Sequence, residues 1–342
     1  MSKEANLTLW SNEDAAAYGL RPLVAKHRLH ELDLFSENAL LGLIDSYPRD
    51  LLQAFTMGSD PLKWNEWKPV DTRGASAREI FAAVRRGQLW FKMLQMHRID
   101  QRYGAVINQL YAELAERCPN FRPLRPAGTL LISSPSAMVY YHADAEPNLL
   151  WHIRGSKRVW VYPACDKSLI SQDLMEDIFA HVVDEEAPYE LEFDTKAVTF
   201  DLAPGEVISW PLNAPHRVTN LEGVNISLST LHETEDSDRR KLIYCANRLL
   251  RRGYRIPARA TRETGVVSCA KRFAYRILRR AGLGEVLPGR AYVTHLKIDS
   301  NSQTGFSSLT SESVLTEFSR KHFSLIRDAS GQVAVVPISN PS

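Results

Sequence analysis

The stretch that decides the fold is YYHADAEPNLLWHIRGSKRVWVYP, residues 140–163. It sets His142 and Asp144 two apart on an extended segment, where alternate side chains face the same way, so both can point into a barrel interior. Asn148 follows, then Gly155, which permits a hairpin turn, and Lys157, which opens a second aromatic strand. A lysine brought into the same interior is expensive without an anion beside it, which makes a carboxylate-bearing ligand the sensible partner.

A metal site needs a third ligand, and His216 in GEVISWPLNAPHRVTN is the natural candidate, placed after a Pro-bounded turn on a later strand. Two imidazoles and one carboxylate on one face of an ion leave positions open, as in non-haem Fe(II) oxygenases. HxD alone is weak evidence, because any strand carries such a pair by chance. Of the remaining histidines, His152 and His181 read as hydrogen-bonded structure and His232 as a solvent-facing residue after the last strand. His27, His30, His97, His295 and His322 have no partners at ligand spacing.

Outward from this stretch, short runs such as TLLISSP, AMVYYHA, AVTFDL, EVISWP and VNISLSTL are bounded by Pro, Gly and Asn. Regular short strands with turn signals predict an antiparallel barrel or sandwich. The expected fold is mainly β: a double-stranded β-helix (jelly-roll) core with helical flanks. The acidic, partly helical insert at residues 166–194 belongs on one rim of that barrel.

The first 120 residues read mainly as helices. Ser36 starts SENALLGLIDSYP, the capping box Ser76-x-x-Glu79 starts SAREIFAAVRRG, and DQRYGAVINQLYAELAERCP repeats apolar residues at helical spacing. Beyond Glu233, DRRKLIYCANRLLRRGYR and CAKRFAYRILRRAGL are helical and basic, and SESVLTEFSRKH suggests a short terminal helix. The expected division is 1–124 helical, 125–235 jelly-roll core and 236–342 basic helical extension.

The 342 residues exceed one typical domain of about 100–200. Hydrophobic content of 44% with 24% charge is ordinary for a globular chain, and no run of ~18 apolar residues predicts a membrane span. The acidic N-terminal stretch lacks the layout of a secretory signal, so a cytoplasmic setting is expected. Cys118, Cys165, Cys245 and Cys269 form no CxxC pair, which indicates neither a zinc ribbon nor a disulfide framework. The net charge of +2 hides an uneven distribution: residues 239–290 hold fifteen Lys or Arg against Glu263 and Glu285 alone. That segment is a solvated helix face or the site of an anionic partner, whether charged substrate, nucleic acid or membrane surface.

HADAEPNLLWHIRGSKRVWVYP together with WPLNAPHRV resembles the JmjC and cupin-like Fe(II)/2-oxoglutarate oxygenases, whose pattern is HxD, then Asn, then a residue often Gln, then G-x-K, and later His. The resemblance covers roughly residues 125–235, and FSENALLGLIDSYP through RRGQLW also resembles bacterial cupin-like JmjC proteins. It implies His142, Asp144 and His216 as ligands of Fe(II), with Lys157 on the distal carboxylate of 2-oxoglutarate. Asn148 would lie beside the keto-acid end, with Asn225, Ser227 or Ser229 completing the pocket. His152 stands at the usual Gln position, and Val139 stands where the related asparaginyl hydroxylases of hypoxia-inducible factor have a Thr. Thr129 or Tyr140 would then supply the missing hydroxyl.

The implied activity is hydroxylation of a substrate (small molecule, peptide or RNA) with release of succinate and carbon dioxide. Retention of Asp144 favours hydroxylation or demethylation over halogenation. Two other readings stand beside it: a non-oxidative cupin-type metal-binding protein, and a nucleic-acid-associated regulator using the basic segment. A homodimer through the N- or C-terminal helices is a further expectation.

Overall fold

The computed structural model describes residues 6–63, 66–119, 121–164, 166–283 and 291–309, with backbone alone for 291–293, 315–318, 323–327 and 333–337. Its strands are β1 (Leu23–Lys26), β2 (Leu52–Thr56), β3 (Pro69–Asp71), β4 (Leu89–Met93), β5 (Leu124–Ser133), β6 (Met138–His142), β7 (Asn148–Val161) and β8 (Val198–Leu202). After them come β9 (Glu206–Ser209), β10 (His216–Glu233), β11 (Ala291–Thr294), β12 (Leu296–Ile298), β13 (Phe306–Ser308), β14 (Leu315–Phe318), β15 (Phe323–Arg327) and β16 (Val333–Pro337). The helices are α1 (Asn12–Ala17), α2 (Glu37–Ser46), α3 (Ala77–Arg86), α4 (Met96–Ile99), α5 (Gln101–Arg117), α6 (Gln172–Phe179), α7 (Glu235–Arg248) and α8 (Val266–Arg280). Among the described residues no helix is long and apolar enough to cross a membrane.

Two long antiparallel strands, β7 and β10, are the spine of the fold. Each bends partway: β7 at Gly155, which has a positive φ of 83°, and β10 through irregular pairing between Asn220 and Ile226. The first half of β7 pairs with β9 and the end of β10, while its second half pairs with β8 and the start of β10. One face of the double layer therefore runs β1-β9-β7-β10-β5-β4-β2-β3 and the other β8-β7-β10-β6. This is the expected jelly-roll. The aromatic strand opened by Lys157 is therefore the second half of β7, and VNISLSTL is the second half of a strand that begins at His216.

The three predicted helices form as α2, α3 and α5, with Ser36 and Ser76 capping as expected. Their buried faces, including Leu40, Ile44, Phe81 and Leu110, pack with Phe91, Ile132 and Leu228 on the outer side of the larger sheet. The reading of the first 120 residues as mainly helical needs correction, because β1 to β4 lie there and all join that sheet. Each has only three to five residues, too few for a period to announce itself. In β4, Leu89, Phe91 and Met93 face the core, which turns Trp90 and Lys92 to the barrel interior.

Two further expectations are corrected. Leu315–Phe318, within the predicted terminal helix, is a strand paired with β11; the rest of SESVLTEFSRKH lies outside the described residues, as does Cys165. His232 does not face solvent. It lies within β10, 2% exposed, with its ring between the Tyr18 and Tyr111 hydroxyls, each 3.1 Å away. β10 runs two residues longer than its apolar pattern suggests, and α1 and α5 roof its end.

Candidate metal centre and its cavity

His142 ends β6 and His216 begins β10, and the two are direct partners across the pair. Asp144 follows in the connection to β7. Their donor atoms lie within 4.8 Å of one another. His142 Nε2 is 3.9 Å from Asp144 Oδ1, and His216 Nε2 is 3.6 Å from Asp144 Oδ2.

Each ring is oriented by its own chain. His142 Nδ1 is 2.7 Å from the Tyr140 carbonyl and His216 Nδ1 is 3.1 Å from the Ala214 carbonyl. A carbonyl only accepts, so both Nδ1 atoms carry the proton and both Nε2 lone pairs face inward. Burial, reinforced by His142, pushes the His216 pKa down to about 3 and keeps that ring neutral. Trp210 lies against His216 with ring centroids 4.0 Å apart.

Asp144 is fixed at both ends. Asn148 Nδ2 donates to Oδ2 at 3.0 Å, and Asn213 Nδ2 donates to the Asp144 carbonyl at 2.7 Å. Ser229 in turn donates to Asn148 Oδ1 at 3.1 Å. Two imidazoles and one held carboxylate, all bonded on their outer sides, are a donor set that suits a divalent transition metal with open coordination positions.

The three residues line a cavity of about 640 Å³, a volume within the usual range for small-molecule sites. At its inner end sits Lys157, 5% exposed, with no hydrogen-bond or ion-pair partner among the described residues. Burial alone lowers its pKa from 10.5 to about 7. Lys157 pairs with Asn220 and His216 with Val161, so the lysine lies four strand positions from the metal ligands, roughly 13 Å along the backbone.

The structure divides the other expected residues. Thr129, Tyr140, Asn148 and Ser229 line the cavity. Asn225 and Ser227 do not. Asn225 Nδ2 donates to the Glu222 and Gly223 carbonyls and sits where a Cβ on Gly155 would come within 2.7 Å of it, so it braces the two bends. The Ser227 hydroxyl is 3.1 Å from His152 Nδ1, and His152 Nε2 is 2.9 Å from the Gly155 carbonyl. His152 is thus a buried structural residue, as expected, holding the turn that carries Lys157. Trp210 lines the cavity. Trp151 is core and Trp160 lies under Arg217.

Sequence reasoning missed Lys92, Trp90, Glu185 and Asn213. Lys92 Nζ lies 3.9 Å from the Trp90 ring centroid, and burial lowers its pKa against the pull of Glu186 and Glu185. Glu185 comes from the acidic insert, which does form a rim. Its carboxylate accepts from Ala145 N at 3.2 Å and its carbonyl from Ala143 N at 3.2 Å, and burial next to Asp144 raises its pKa to about 8. The alternation in LWFKM was the available signal for Trp90 and Lys92; nothing local marks Glu185 or Asn213.

Residues 72–238 match the family model described as a cupin-like domain. No curated protein matches the sequence. Among solved structures, the chain is similar to Escherichia coli ycfD, at 15% identity and TM-score 0.48 over 79% of this chain and 67% of that one. A second structure, described as YcfD, a ribosomal oxygenase from Escherichia coli in complex with cobalt and 2-oxoglutarate, gives 16% and 0.43 over 75% and 62%. Lactobacillus farciminis oxalate decarboxylase gives 15% and 0.22 over 35% and 27%. The chain thus spans about two thirds or less of the length of these neighbours, and no residue role here rests on them.

Proposed function

We propose that the protein is an Fe(II)- and 2-oxoglutarate-dependent oxygenase that hydroxylates its substrate. One observation carries the reading: Lys157, buried and without an ion-pair partner among the described residues, lines the same cavity as the His-His-Asp cluster. A metal-binding barrel without an anionic co-substrate has no use for that lysine, because burying an unpaired ammonium is costly.

His142, Asp144 and His216 would hold the iron, and Lys157 would pair with the distal carboxylate of 2-oxoglutarate. When bound, the metal and keto acid couple decarboxylation to succinate with insertion of oxygen into a substrate C–H bond. The chain's own work is positional. Asn148 and Asn213 keep Asp144 facing the ion, the Tyr140 and Ala214 carbonyls fix both imidazole tautomers, and Thr129 and Tyr140 offer hydroxyls within the cavity. Trp210 and Val218 exclude water from the reacting end. Trp67, Trp90 and Lys92 line the same cavity and would meet the substrate.

The test is formation of succinate from 2-oxoglutarate, stimulated by Fe(II) and abolished in Asp144→Ala. Normal turnover by that variant would falsify the reading. Metal binding with 2-oxoglutarate affinity indifferent to Lys157→Met would instead favour a non-oxidative cupin.

A further inference from the structure

The helix α8 is turned inside out relative to an ordinary surface helix. Its sequence, VVSCAKRFAYRILRR, carries Val266, Ala270, Phe273 and Ile277 at spacings of four, three and four, which fall on one stripe. A stripe of this kind normally faces the core. Here Val266 is 86%, Phe273 67% and Ile277 48% exposed, with Val267 beside them at 69%.

The opposite, largely polar side faces the protein. Ser268 is buried and donates to the Arg262 carbonyl, and Lys271 Nζ donates to Asn247 Oδ1 at 2.8 Å and to the Ala260 carbonyl at 3.1 Å. Tyr275 packs against the cluster that contains Phe179 and Cys245. These contacts fix the rotation of the helix and hold the apolar stripe outward. The patch continues past the helix: Leu283 is 58% exposed, and its carbonyl is 3.5 Å from the hydroxyl of half-exposed Tyr254.

Charge identifies the occupant. The helix has five cations, Lys271, Arg272, Arg276, Arg279 and Arg280, and no acid. Lys271 is turned inward, Arg279 lies on that same side and lines a cavity with Tyr275 and Cys245, and Arg276 meets Asp238 of α7 at 3.2 Å, which leaves Arg280 beside the stripe without an ion-pair partner among the described residues. A second copy docking on this stripe would set like charges against each other. Nucleic acid would take the arginines and leave valine, phenylalanine and isoleucine in water. An anionic lipid surface satisfies both, accepting the apolar stripe at the acyl boundary and the guanidinium groups among the headgroups.

We propose that α8 is an interfacial anchor whose outward Val266–Phe273–Ile277 stripe and flanking arginines dock the protein on an anionic membrane surface. The segment reaches the bilayer from one side without entering its core. The metal cavity is built from the barrel, so docking leaves the proposed chemistry to the same residues.

Flotation of the full chain with phosphatidylcholine vesicles, with and without phosphatidylglycerol, tests this. The wild type is expected to float with the anionic vesicles, and less so as salt is raised. Phe273→Ser/Ile277→Ser, at exposed positions and with an unchanged melting temperature, should weaken capture at least about tenfold. Removing the charge beside the stripe in Arg280→Gln should cost up to roughly fivefold. Absence of wild-type capture, or equal capture of the Phe273/Ile277 variant, overturns the proposal. So does self-association in light scattering that this variant abolishes while vesicles capture nothing. Turnover is not the readout, so failure here and failure of the oxygenase reading are separable.

Discussion

Replacing Lys157 with methionine separates function from stability more sharply than any other change in the cavity. The ammonium is 5% exposed and unpartnered, and burial takes its pKa from 10.5 to about 7. At ~1.4 kcal/mol per tenfold, that is a penalty on the order of 5 kcal/mol whenever the lysine is charged. Methionine keeps the aliphatic stem and removes the charge, so the free variant should be more stable by about 2–5 kcal/mol, raising its melting temperature by roughly 3–7 °C. The folded-state pKa lies below that of the unfolded chain. Below about pH 7 the lysine is charged in both states and carries its full penalty; from about 7 to 10.5 the folded protein releases the proton first and the penalty fades. The gain in the variant should therefore be largest below pH 7 and shrink as pH rises.

Binding should move the other way. A carboxylate that loses a buried cationic partner loses about 2–5 kcal/mol, which is on the order of 30- to 5,000-fold in 2-oxoglutarate affinity. Thermal unfolding at several pH values reads the first effect, and titration of 2-oxoglutarate into the Mn(II)-loaded protein reads the second. A variant that melts no higher than wild type and binds 2-oxoglutarate equally well refutes the assignment of Lys157 as the co-substrate's counter-ion.

Asn148→Ala removes the donor to Asp144 Oδ2 and strands the Ser229 hydroxyl; metal affinity should fall about 10- to 100-fold, measured by competition with a chromogenic chelator. Gly58→Ala would put a Cβ 2.5 Å from the Tyr140 hydroxyl, which now accepts from Gly58 N at 3.0 Å. The displaced hydroxyl should raise KM for 2-oxoglutarate with little change in melting temperature, and an unchanged KM would remove Tyr140 from the pocket. Burial lowers the pKa of His27 and His232 to about 4 and of His152 to about 3. The unfolded chain protonates these groups near 6.5 while the folded chain does not, so stability is expected to fall as pH drops from about 6.5 towards 4. Denaturant midpoints across that range check it, and His232→Phe, which removes one such group, should flatten the slope while costing stability at neutral pH.

The sequence carried the centre of the site because its logic is local. His142 and Asp144 lie two apart where β6 runs into the connection to β7, and Gly155 with Lys157 lies a short way on in the same segment. Asn225, Ser227 and Ser229 share the period-two alternation of β10, yet only Ser229 reaches the cavity. The bend between Asn220 and Ile226 decides which member meets the ligand and which is taken by His152 or by the turn.

The amino-acid sequence alone pointed to the jelly-roll and to His142, Asp144 and His216 as one donor set, and it placed Lys157 a short way along the same segment as the first two. Only the tertiary structure decided that Lys92 and Glu185, from β4 and the insert, reach the same cavity, that His232 is roofed by Tyr18 and Tyr111, and that α8 shows its apolar stripe to solvent. Those outcomes depend on which faces meet across long loops, and periodicity fixes the faces of an element without saying what covers them.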